Sequence, residues 1–185
     1  MDEGLRLSER YRIDFFVPVH ASGLGEALLE MGELDDAERH LLRALERSRS
    51  ADNPMITVIA EANLGRIATR RGRLAAALAD LRSAARGAAA RGWTNMCLHI
   101  AMLYGEWLRE DRRSADAARI WHMVASHPQA DAGMRERAQR WRLALRLDSP
   151  PEDPPERGPV TLTAVMDRLL SDRERADDPP SSDKR

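Results

Sequence analysis

Apolar residues return at helical spacing along the chain, and the whole arrangement recurs with a shift of 40 residues. One register holds Leu24, Leu64 and Tyr104, and the next holds Gly25, Gly65 and Gly105. Further on, Ala37, Ala77 and Ala117 correspond, as do Leu41, Leu81 and Trp121, then Ala44, Ala84 and Val124. One helical unit is therefore used three times. Each unit reads as helix A, a tight turn and helix B. The pattern predicts helices at about 15–31 and 35–49, at 54–71 and 74–91, and at 94–109 and 114–126. Gly32 suits the left-handed position that ends a helix, Gly72 repeats it, and Asn53 before Pro54 caps the next start. The third turn, Glu110-Asp111-Arg112-Arg113, lacks that glycine. Glycine within a helix costs roughly 1 kcal/mol against alanine. Its recurrence at 25, 65 and 105 predicts that two helices approach there too closely for a side chain.

Both flanks extend the pattern. Residues 5–12 read as helix B of an incomplete unit spanning 1–14, so the chain starts in mid-pattern: either Met1 is an internal start or, as the favoured expectation, the chain is the C-terminal piece of a longer protein. Repeats follow at about 15–53, 54–92 and 93–130. Met134, Ala138, Trp141 and Leu145 then mark a capping helix over 131–147, which covers the apolar flank of the last repeat. The expected architecture is all-α, a solenoid of stacked helix hairpins over 1–147. Five prolines within 148–159 predict an extended linker. Behind the cap Thr161, Leu162, Val165, Met166 and Leu169 form one apolar stripe on a short helix at 160–171. This segment is expected to dock on the repeats, either extending the cap or occupying their groove. Residues 172–185, charged and then rich in Pro and Ser, are expected to be disordered.

Composition narrows the function. The chain of 185 residues is 43% apolar but only 4% aromatic, in keeping with helices. Its net charge of −1 gives no general attraction for nucleic acid or an anionic membrane. No apolar run approaches the ~20 residues of a membrane span. Cys97, the one cysteine, excludes an internal disulfide or a multi-cysteine zinc site and fits a cytoplasmic location. The single lysine, Lys184, lies in the tail, so no phosphate-binding loop and no folded Schiff-base lysine exist. A nucleophile elbow, a helical zinc motif and a calcium loop are likewise missing. Neither catalysis, metal nor cofactor is expected. Arg70, Arg71 and Arg73 cluster at the second turn, where a solvated helix end competes with anion recognition.

The order Leu24-Gly25, Leu28, Gly32, Ala37, Leu41, Ala44, copied as Leu64-Gly65, Ala68, Gly72, Ala77, Leu81, Ala84, resembles the tetratricopeptide repeat. A diverged third copy has Tyr104-Gly105, Leu108, Ala117 and Trp121, and the resemblance covers about residues 5–126. The unit of 40 residues looks like the C-terminal repeat region of bacterial maltose-regulon-activator-type regulators and signal-transduction ATPases. The resemblance implies a right-handed α-solenoid whose helices A line a concave face. It places there Val19, Ser22 and Glu26; Ile59, Ala62, Asn63 and Arg66; His99, Met102, Leu103 and Glu106; and, one turn on, Glu30, Arg70 and Arg109. It implies a non-catalytic module binding a peptide or protein on that face, within a bacterial signalling or transcription regulator. Relatives that clamp a C-terminal carboxylate use basic and asparagine side chains; Asn63 matches, whereas Val19, Gly23, Ile59 and Leu103 do not, which excludes that ligand. The alternative is a sensory domain for a small molecule or short peptide, detached from a transcription-regulating ATPase. A narrow apolar pocket around Ile59, His99 and Met102 would favour it.

Overall fold

The computed structural model describes residues 2–10, 16–145 and 160–171. The expected linker at 148–159, the tail at 172–185 and the junction at 11–15 lie outside the described residues. The helices are α1 (Asp2–Arg10), α2 (Phe16–Met31), α3 (Leu34–Ser50), α4 (Pro54–Arg70), α5 (Leu74–Ala89), α6 (Thr94–Glu110), α7 (Ser114–Ser126), α8 (Ala132–Ala144) and α9 (Leu162–Ser171). Three A/B hairpins, α2–α3, α4–α5 and α6–α7, stack in chain order, with α1 before them and α8 behind. The fold is an all-α solenoid of tetratricopeptide-like hairpins.

The period of 40 is visible in the backbone itself. Glu33 donates to the Leu28 carbonyl at 2.9 Å, Arg73 to Ala68 at 2.9 Å and Arg113 to Leu108 at 2.8 Å. The residue before each donor has positive φ, at +85° for Gly32, +70° for Gly72 and +61° for Arg112. Arg112 thus takes the glycine position with a side chain attached, and the third turn keeps its shape at a cost. A second left-handed position recurs between hairpins, at Asp52 and Gly92. Gly92 ends α5 at Ala89, two residues before the sequence pattern suggests. Asn53 accepts from the Ile56 amide at 3.2 Å and caps α4, and Asp131 accepts from Met134 at 2.8 Å to cap α8.

Close packing explains the helical glycines. A Cβ on Gly25 would lie 2.7 Å from Leu41 Cγ, and one on Gly65 would lie 3.0 Å from Leu81 Cγ and 3.1 Å from the Ala77 carbonyl. At Gly105 it would overlap the Trp121 indole. That indole fills the third hairpin and donates to the Met102 carbonyl at 3.1 Å.

Successive A helices pack directly, α2 on α4 and α4 on α6, whereas successive B helices barely touch. The stack is therefore tight along its inner side and open along its outer side. Helix α6 is buried over nearly its whole circumference, since α4, α5, α7 and α9 surround it. Helix α9 does dock on the repeats, but in neither of the two expected places. It packs against α5, α6 and α7, on the outer side, where the splayed B helices leave a gap over α6. An amphipathic stripe shows that a helix must dock and carries no information on where.

Candidate functional site

The fourteen residues assigned to the inner face lie on α2, α4 and α6, with seven of them buried. Ser22, Ala62, Asn63, Arg66, Met102, Leu103 and Glu106 are at most 8% exposed. Val19, Glu26, Ile59 and His99 are half-buried, and Glu30, Arg70 and Arg109 are exposed. The inner face is thus a lined interior with a charged rim.

Arg66 stands at its centre. The guanidinium, 3% exposed, donates through Nε to Glu106 Oε2 at 2.8 Å and through Nη1 to Glu30 Oε1 at 2.5 Å. These bonds join α2, α4 and α6. The end helix α8 closes over them, with the Trp141 ring centroid 5.5 Å from the Arg66 guanidinium carbon and Arg137 Nη1 4.0 Å from Glu30. Trp141 also packs on Trp121, with ring centroids 5.5 Å apart. Burial alone would lower the Arg66 pKa, but the charges of Glu106 and Glu30 raise it. Burial likewise pushes Glu30 upward, and the Arg66 hydrogen bond and charge, helped by Arg137, more than reverse this. The cluster is a fixed ionic tie.

Two neutral groups share this interior. His99 has its pKa lowered to about 4, first by burial and then by the positive charges of Arg137 and Arg66. The ring is neutral at physiological pH. The Asn63 side chain is buried with neither its amide nitrogen nor its oxygen hydrogen-bonded among the described residues. An enclosed amide without partners costs roughly 1–3 kcal/mol, which marks Asn63 as the least satisfied residue on this face.

The rim carries arginines and glutamates side by side. Arg70 donates to the Leu29 carbonyl at 2.8 Å, and burial followed by repulsion from Arg66 lowers its pKa, with Arg109 adding to that repulsion. Arg109 pairs with Glu110 at 2.6 Å. The other arginines of the turn do something different from Arg70. Arg71 binds Glu38 at 2.5 Å and also Asp35, while Arg73 binds Glu38 at 3.0 Å. They bridge the second hairpin to the first.

Arg137 and Trp141 are missing from the sequence-derived set, because they approach the inner face from the end helix. A partial signal was present. Arg66 and Glu106 share one register with opposite charge, although Glu30, one turn beyond the Glu26 of that register, supplies the third member of the tie.

Cavities of about 570 Å³ lie elsewhere. One borders Arg119, His122, Met123 and Leu162; the other borders Met55, Trp93, Met96 and Gln129. Neither is the pocket imagined around Ile59, His99 and Met102. Among the described residues no three His, Cys, Asp or Glu side chains group as metal ligands, and no helix is long and apolar enough to cross a membrane.

No curated protein and no solved structure matches the chain. Residues 17–90, from α2 to the end of α5, match the family model of the tetratricopeptide repeat, and the match spans the two hairpins with intact turn glycines.

Proposed function

We propose that the chain is a non-catalytic protein-interaction module whose inner rim, around Arg70 and Arg109, receives an acidic peptide segment. The observation that carries this reading is Arg70 itself: it is exposed, its guanidinium bonds a main-chain carbonyl, and it feels repulsion from Arg66 and Arg109 against the attraction of Glu106 and Glu30. A carboxylate arriving there relieves that repulsion and gains charge-assisted hydrogen bonds. Val19 and Ile59, half-buried farther along the same face, offer apolar contact roughly 16 Å from it. Most of the inner wall acts as a rigid support, so few side chains carry the binding energy. The 40-residue unit and its likeness to the repeat region of bacterial regulators support a role in signalling or transcription control.

A displayed peptide library selected on the full chain tests this. The enriched peptides should be acidic, and Arg70→Glu with Arg109→Glu should weaken them at least tenfold. Enrichment of apolar or basic peptides, or equal binding by the charge-reversed chain, overturns the reading.

A further inference from the structure

We propose that the cavity between the C-terminal half of α7 and the first turn of α9 is a binding site for a small carboxylic acid with an aliphatic body.

The site follows from how α7 ends. His127 precedes Pro128 and is held extended, at φ −71° and ψ 133°, so the helix stops at Ser126 and the chain turns away. This turn is pinned from the end helix, where Arg135 donates to the His127 carbonyl at 3.1 Å and to the Pro128 carbonyl at 3.0 Å. On the opposite side Thr161 accepts from the Ala164 amide at 3.2 Å and fixes the first turn of α9. The space between these anchored walls is about 570 Å³, a size that small-molecule sites have. Met123, Val160 and Leu162 give it an apolar surface.

The polar groups at the cavity share one sense. His122 Nδ1 lies 3.2 Å from Arg142 Nη1, and a guanidinium only donates, so this ring nitrogen accepts. The Gln129 amide donates to His127 Nδ1, also at 3.2 Å. In both rings the hydrogen therefore sits on Nε2, which makes each imidazole a donor at the cavity wall. Arg119 brings a guanidinium to the same wall, and among the described residues no acidic side chain borders the space. Donors without acids call for an anion, and carboxylates are the organic anions that such N–H groups bind best. The apolar surface calls for hydrocarbon attached to it, which a bare inorganic anion lacks. The break in α7 is what unites the two histidines, five residues apart in sequence, at one space. Its walls come from α7, the turn after it and the start of α9, none of them an inner-face helix, so this site is independent of the rim around Arg70.

Calorimetric titration of the full chain with hexanoate tests this. Hexanoate has about eight non-hydrogen atoms, for which a dissociation constant of about 1 mM or tighter is expected. Hexanol, with a similar chain and no charge, and acetate, with the charge and no chain, should each bind at least tenfold more weakly. His122→Phe with His127→Phe keeps aromatic rings there and removes the donors, and should weaken hexanoate at least tenfold. No saturable binding, equal binding of hexanol or acetate, or equal binding by the double variant overturns the proposal. If that variant does not fold, imidazole nitrogen NMR on the unaltered chain decides. Hexanoate should shift the His122 and His127 signals together and saturably, leaving those of His20 and His40 in place. Unmoved signals of His122 and His127 overturn the proposal.

Discussion

Asn63 has its amide enclosed and unanswered in the register that Leu103 fills one repeat later. Replacing it removes a buried polar group with no bond to lose. Asn63→Leu should raise the unfolding free energy by about 1 kcal/mol, seen as a higher urea midpoint with an unchanged slope. A lower midpoint would mean that the site cannot take the added methyl volume. Arg112 is the converse case, a side chain where the backbone asks for none. Arg112→Gly should stabilise the chain by about 0.5–1 kcal/mol through relief at φ +61°. Gly72→Ala should destabilise it by a similar amount. The third turn lacks the glycine in sequence, yet Arg112 takes the left-handed conformation and Arg113 donates to Leu108 as in the other two turns.

Helices rather than single residues carry the ionic tie, since Arg66 couples α2, α4 and α6 under a lid supplied by α8. Arg66→Met strands Glu106, which is 8% exposed, and should cost roughly 3–5 kcal/mol. Arg66→Met with Glu106→Leu should recover most of that loss, as measured by denaturant unfolding. The helices were legible because glycine, alanine and leucine recur at 40-residue spacing and because Asn53 and Asp131 announce helix starts. The burial of seven inner-face residues was not legible. It comes from the direct packing of α2, α4 and α6 on one another and, at Arg66, from Trp141 lying over it from the end helix, long-range contacts that leave no periodic trace. The docking place of α9 was hidden for a related reason, because its counterpart surface is a gap between helices and no single segment spells it.

The molecule as a whole should weaken in mild acid. His99 faces Arg66, Arg137, Glu30 and Asp131, and it stays neutral in the folded chain down to about pH 4, against an ordinary value of 6.5. Between those values the unfolded chain binds the extra proton, so stability rises with pH there and is lost on acidification. The slope from this group is at most about 1.4 kcal/mol per pH unit. His99→Gln should flatten the curve over that window in urea titrations at pH 7, 6 and 5. Glu30, Glu38 and Asp116, held below their ordinary values by arginines after those outweigh burial, lose their contribution only at lower pH and do so in both chains. An unchanged slope in His99→Gln would show that the ring is solvated.

Direct packing of the A helices beside splayed B helices makes the inner seam a hinge line and the outer edge a fan. A helix wedged between two of its blades braces that edge, on the side of the stack away from Arg70 and Arg109.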